Sequence, residues 1–196
     1  MAIPSIETGR DADRDRIIHL ITLAFAADPV VRWIWPGADT YLEAMPQFTA
    51  AFGGRAFEHG SALYAENFRA AALWLPPGVE PDRESLETLM EKTMAPEIME
   101  DAISFFGQLT EFHPHDRPYW YLPLIGADPA WTGRGLGSAL MKHALGRCDE
   151  EGKIAYLESS NPRNISLYER HGFEMMGRIQ AGSSPVMTPM IREPRR

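Results

Sequence analysis

Three glycines at alternate positions, Gly133, Gly135 and Gly137, lie between an apolar segment ending at Ala127 and an apolar-periodic segment that begins at once. Glycine lets a backbone curl so that successive amide N–H groups face the same way. A helix starting there adds unpaired donors and the positive end of its dipole. The chemistry on offer is phosphate binding, and Arg134 places a full positive charge beside it. Such a local field can operate in a chain of net charge −8, because near charges outweigh screened distant ones. A dinucleotide fingerprint, G-x-G-x-x-G, would need a third glycine where Leu140 stands. Glu158, about 20 residues on, is placed as a ribose-binding acid would be, so a nucleotide- or NAD-binding protein stays open as an alternative. No G-x-x-x-x-G-K-[ST] exists, which excludes a P-loop.

A second constellation runs from Glu158 to Phe173. A strand ends at Glu158, Asn161 and Asn164 bracket Pro162-Arg163, a short helix carries Tyr168, and Gly172 suits its left-handed cap before Phe173 opens a strand. Together the two segments resemble the GNAT superfamily of N-acetyltransferases. Thr132-Gly133-Arg134-Gly135-Leu136-Gly137 is similar to its coenzyme A signature [Q/R]-x-x-G-x-[G/A], with Thr132 in place of the usual Gln or Arg. Asn161 to Phe173 resembles its Asn-rich turn and LYE-x-x-GF helix. Ala24-Phe25, Asp28-Pro29 and Trp74-Leu75-Pro76-Pro77 also resemble small-molecule acetyltransferases of the puromycin type.

The resemblance implies an acetyl-coenzyme A co-substrate, no metal, and a small-molecule amine as acceptor. The strand ending at Ala127 would splay from the strand ending at Glu158. Ile125 and Ala127 would pair through their backbone with the pantetheine arm, as a strand added to a sheet. Thr132, Gly133, Arg134, Gly135, Gly137 and Ser138 would hold the diphosphate, with Asn161 and Asn164 closing on the coenzyme from the other side. An amine of pKa near 10 must lose a proton before attack, and Glu158 is the candidate base. Tyr168 is the candidate acid for the departing thiolate, and a backbone N–H of the first strand would meet the developing oxyanion. A non-catalytic acyl-coenzyme A sensor of the same fold is the rival reading.

Trp33, Trp35 and Tyr121 are candidate acceptor contacts, as aromatic faces able to hold a cation. The plain alternative for them, and for Trp74 and Trp120, is core packing. His113 and His115 flank Pro114 and read as exposed loop residues, and His19, His59, His143 and His171 as surface or helix-end residues; none is assigned a role. Cys148, alone and on an apolar-periodic segment, reads as a core residue rather than a nucleophile.

The elements that must position these groups follow from periodicity and turn chemistry. A short strand over 3–8 leads to a helix through Ile17, Ile18, Ile21 and Phe25 that stops before Asp28-Pro29. The stretch 30–36 reads as irregular, followed by a helix over 40–59 broken near Pro46 and Gly53-Gly54. Strands at 61–64 and 70–75 precede helices at 82–92 and 96–109. A βαβα pattern then gives strands at 119–127, 154–159, 173–179 and 186–191, with helices at 135–147 and 164–170. The expectation is an α/β (α+β) fold. It has one mixed, mostly antiparallel sheet of six to seven strands flanked by helices, with splayed central strands.

The 196 residues suit one domain, which the resemblance implies is a single N-acetyltransferase domain with an acceptor-side half, 1–117, and an acetyl-coenzyme A core, 118–196. The acidic balance argues against a nucleic-acid partner. No run of ~20 apolar residues suggests a membrane span, and no signal-type apolar core follows Met1. A single cysteine fits a reducing, cytoplasmic setting, and a monomer or homodimer is expected.

Overall fold

Unbroken apolar runs at Ala70–Leu75 and Tyr119–Ala127 give two central strands, the first buried on both faces and the second part-exposed toward its end, and the sheet grows outward from them. The computed structural model describes residues 4–195. In chain order the elements are β1 (Ile6–Thr8), α1 (Arg14–Ala24), α2 (Pro29–Ile34), α3 (Ala38–Gly53), β2 (Ala62–Ala65), β3 (Ala70–Leu75), α4 (Arg83–Thr93) and α5 (Met99–Phe112). There follow β4 (Tyr119–Ala127), α6 (Leu136–Glu150), β5 (Ile154–Ser159), α7 (Ile165–Arg170), β6 (Glu174–Met175) and β7 (Thr188–Arg192). The strand order is β1-β2-β3-β4-β5-β7-β6, antiparallel everywhere except the parallel β4–β5 pair. A mostly antiparallel sheet denies the dinucleotide alternative the parallel sheet its fingerprint requires.

Helices cover both faces. Ile17 and Ile21 of α1, Trp35 and Phe105 pack with Leu73, Leu75 and Tyr121 on one side. Leu140 and Met141 of α6 pack with Trp74, Trp120 and Leu157 on the other. Gly126 lets α1 lie directly on β4, since a Cβ there would come within 2.5 Å of Ala24 Cβ. Cys148 is buried, which pushes its thiol up to about 12 and makes it a core residue.

Three expected elements differ. The stretch 30–36 contains α2, because the Asp28 carboxylate accepts from the N–H groups of Val30 and Val31 and Pro29 fits a first turn. Helix α3 passes through Pro46 unbroken. The carbonyl that proline leaves without a donor belongs to exposed Leu42, where water can serve. The strand expected over 173–179 is confined to Glu174–Met175 plus a single bridge from Ile179 to Met187, interrupted where Phe112 packs on Gly177. Ile3, at the start of the first expected strand, lies outside the described residues.

The closing strand is tied to α6 by a two-pronged ion pair. Arg192, 3% exposed, places Nη1 2.7 Å from Asp149 Oδ1 and Nη2 2.9 Å from Oδ2. Removing Asp149 strands a buried guanidinium, so Asp149→Ala is expected to cost about 3 kcal/mol in denaturant unfolding. The Arg192 hydrogen bonds hold the Asp149 carboxyl below its ordinary 3.8. A depressed acid contributes stability that is complete above the unfolded value, so wild type loses this contribution as pH falls below about 4 and the variant has none to lose.

Candidate active site

Strands β4 and β5 pair only at their starts, from Tyr119↔Ile154 to Tyr121↔Tyr156. Beyond that point Leu157–Ser159 pair with β7 alone, and β4 continues with β3 alone. The parting coincides with a bulge: Leu73 faces Leu124 but Leu75 faces Tyr121, so β4 carries one extra residue at Leu122–Pro123. The narrow cleft so opened is lined by Leu122, Pro123 and Ile125 of β4, by Leu157 and Glu158 of β5, and by Phe25, Ser160, Asn164 and Tyr168.

The free edge of β4 is available for pairing. The Asp128 N–H donates to Arg69 O at 2.9 Å, which makes that residue pair a hydrogen-bonded one. Alternation along an antiparallel ladder then puts Ala127↔Ala70 and Ile125↔Ala72 in non-hydrogen-bonded pairs, whose N–H and C=O point away from β3. Both residues thus offer their backbone groups to the cleft, where β5 has already turned aside.

At the far end of β4 the Asp128 side chain caps a turn through the Ala130 N–H, and the glycines follow. Gly133 and Gly135 have φ of +74° and +81°, a region side chains strain to adopt. Among the described residues, none of the N–H groups of Gly133 to Ser138 is bonded to the protein; the first inward bond is Ala139 N–H to Gly135 O. These unspent donors at the start of a 15-residue helix fit a diphosphate. The guanidinium of Arg134 lies 4.2 Å from the Trp131 ring centre and that of Arg69 3.5 Å from it, adding two cations at the same corner. Thr132 donates its hydroxyl to Pro129 O and so braces the turn. Gly135→Val is expected to weaken coenzyme A binding at least about tenfold by driving the loop from its binding conformation. Calorimetry checks the affinity, and circular dichroism checks that α6 persists.

Glu158, its side chain only 6% exposed, sits in an aromatic cluster. Tyr121 donates to its Oε2 at 2.8 Å. His113 Nε2 lies 2.9 Å from Oε1, close but without the alignment of a hydrogen bond, so Oε1 and the nearby Tyr156 hydroxyl are buried without directed partners. The other imidazole nitrogen meets the Tyr119 hydroxyl at 2.8 Å. Burial, reinforced by the Glu158 charge, pushes Tyr121 and Tyr156 well above the ordinary phenol value, so both remain donors at neutral pH. His113 is thus no bystander of an exposed loop. Its link to Glu158 spans 45 positions and arises only when the end of α5 folds over the β4–β5 pair, which no local signal in the chain announces.

Tyr168 lies across the cleft from β4. Its ring packs edge-on against Phe173, and its hydroxyl makes no hydrogen bond among the described residues. Burial first, and the charge of Asp28 second, raise its pKa, so the phenol holds its proton at neutral pH. Asp28 is a residue that sequence reasoning left without a role. It caps α2 and also accepts from Ser160 Oγ at 2.6 Å, pinning the α1–α2 turn over the mouth of the cleft. Asn164 lines the cleft, whereas Asn161 spends its Oδ1 on the Arg163 N–H and shapes the turn.

The acceptor contacts need correction. Trp35 is fully buried, its indole N–H bonded to Thr93 Oγ1 at 2.9 Å, so it is a core residue and no acceptor contact. Trp33 is half-buried, packed on Phe105 and bonded to Ser183 Oγ at 3.1 Å. Tyr121 is 5% exposed and spends its hydroxyl proton on Glu158. An open polar hollow of about 420 Å³ beside Arg14, Arg55 and Asp82 shares no residue with the cleft.

Comparison with known proteins agrees with this geometry. Residues 100–173 match the family model described as the acetyltransferase (GNAT) family. An uncharacterized N-acetyltransferase of Schizosaccharomyces pombe is 30% identical over 156 residues, 69% of this chain and 60% of that protein. A mycothiol acetyltransferase of Mycolicibacterium gilvum is 33% identical over 36% of this chain. The chain therefore spans only 60% and 27% of the lengths of these two curated relatives. A Corynebacterium glutamicum structure, described as histone acetyltransferase HPA2 and related acetyltransferase, superposes with TM-score 0.69 at 26% identity and covers 100% of this chain and 98% of that one. A Drosophila melanogaster polyamine N-acetyltransferase superposes with TM-score 0.66 at 13% identity, over 97% and 99% of the two chains. Over residues 100–173 the chain thus matches the GNAT acetyltransferase family, and its fold as a whole is shared with the acetyltransferase structure of Corynebacterium glutamicum.

Proposed function

We propose that the protein is an N-acetyltransferase that moves an acetyl group from acetyl-coenzyme A to the primary amine of a small molecule, directly and within a ternary complex. The observation that carries this reading is the continuous track from the unspent amides of Gly133–Ser138, along the free edge of β4 at Ala127 and Ile125, to Glu158 and Tyr168. Acetyl-coenzyme A supplies an activated thioester; the rest is positioning and proton movement by the chain. Residues 118–196 hold the coenzyme and 1–117 shape the acceptor side.

Glu158 takes the proton that the acceptor ammonium must lose, held in orientation by Tyr121, and His113 gives that buried carboxylate a part-exposed neighbour toward water. A β4 backbone N–H beside Pro123 meets the carbonyl oxygen as it gains charge; Pro123 itself has none to give. Tyr168 delivers its proton to the sulfur as the C–S bond breaks. Cys148, buried with a raised pKa, supports direct transfer over an acetyl-cysteine intermediate.

A panel of small amines with acetyl-coenzyme A, followed by free-thiol release and product mass, tests the proposal. Amine-dependent thiol release with a matching 42-Da gain on one amine, the mass of an added acetyl group, is expected on the order of 1–100 turnovers per second. Coenzyme A binding without release for any amine would instead make the protein an acyl-coenzyme A sensor.

A further inference from the structure

Ser138 stands in the first turn of α6, within the cluster of unspent donors, and its Oγ lies 2.8 Å from Nε2 of His171. His171 is half-buried at the end of α7, and its carbonyl accepts from Arg192 Nε at 2.9 Å. The charged groups that bear on the ring are all cations: Lys142 from α6, Arg170 from α7, Arg192 from β7 and Arg195 from the tail. Asp149 at the end of α6 is turned to these cations and not to the ring, engaged by Arg192 and by the Arg195 N–H. Burial first, and these cations second, hold His171 below its ordinary 6.5, so the free protein carries a neutral imidazole at neutral pH.

The Ser138 hydroxyl has one proton. In the Nδ1–H tautomer of the neutral ring Nε2 is bare and takes that proton, and the oxygen turns only lone pairs toward the loop. When the ring is protonated, Nε2–H donates to Oγ instead, and the hydroxyl proton is free to point at an anion. A diphosphate diester seated on the loop brings two negative charges to Ser138 and opposes the field of the four cations. We propose that His171 is a positioning residue of the coenzyme site: seating the diphosphate draws a proton onto its imidazole and thereby converts Ser138 into a phosphate donor. This rests on the coenzyme reading above and extends it to a residue outside the family's glycine turn.

Calorimetry with 3′-dephospho-coenzyme A tests it, because that ligand's diphosphate is a diester with no proton to exchange near neutrality. Titrations at pH 7 in two buffers of different ionisation heat count protons. Wild type is expected to take up about half a proton or more per ligand, and to bind about three- to tenfold more tightly at pH 6 than at pH 8. His171→Gln, which keeps a side-chain donor toward Ser138 but cannot titrate, is expected to take up none and to bind with one affinity across that range. Wild-type binding without proton uptake overturns the inference, whatever the variant does, and so does uptake that survives in His171→Gln. Absence of wild-type binding at every pH overturns the coenzyme reading itself and the inference with it.

Discussion

Tyr168→Phe is expected to lower turnover by ~10²–10⁴-fold while leaving coenzyme A affinity within a factor of about three. The substitution removes one oxygen atom. Because that hydroxyl has no hydrogen-bond partner among the described residues and the ring's contact with Phe173 is kept, the fold loses almost nothing; the unfolding midpoint should stay in place. The phenol therefore has no structural duty to confuse with its chemical one. Its raised pKa means that the phenol keeps its proton at neutral pH. Steady-state kinetics, beside a coenzyme titration, read the result. Turnover equal to wild type would remove Tyr168 from the mechanism.

The second large effect belongs to Glu158→Gln. Glutamine fills the same space and can still accept from Tyr121, but it takes no proton from an ammonium. Turnover at pH 7 should fall ~10²–10⁴-fold. The defect should also shrink with rising pH, because the fraction of acceptor already deprotonated grows about tenfold per unit below an amine pKa near 10. A rate profile from pH 7 to 9.5 separates this from a structural role: a deficit constant across the range would show that Glu158 does not act as the base.

How much of this could be read from the chain depends on the distance over which each signal acts. The unit from β4 through the glycine turn to α6, β5 and α7 is legible because glycine, proline and asparagine dictate backbone geometry within a few residues of themselves. The positive φ of Gly133 and Gly135 and the divergence of β4 from β5 match that reading. The extra β4 residue at Leu122–Pro123 was not legible, although proline within a strand is a hint of irregularity. Helix α2 was missed because its apolar residues face packing on several sides and show no clean period. Trp35 was mistaken for an acceptor contact because an aromatic in an irregular stretch looks available; only its indole bond to Thr93, 58 positions away, makes it core. His113, Asp28 and His171 share one cause. Each meets a partner brought near by tertiary packing, namely Glu158, Ser160 and Ser138.

The most direct test of the whole account is a crystal structure with coenzyme A bound. The expected result has the diphosphate within hydrogen-bonding distance of the Gly133–Ser138 amides, and the pantetheine arm paired with Ile125 and Ala127. Its sulfur should reach the space between Tyr168 and Glu158. A coenzyme bound elsewhere, with those amides turned to the protein and β4 closed on β5, would contradict it.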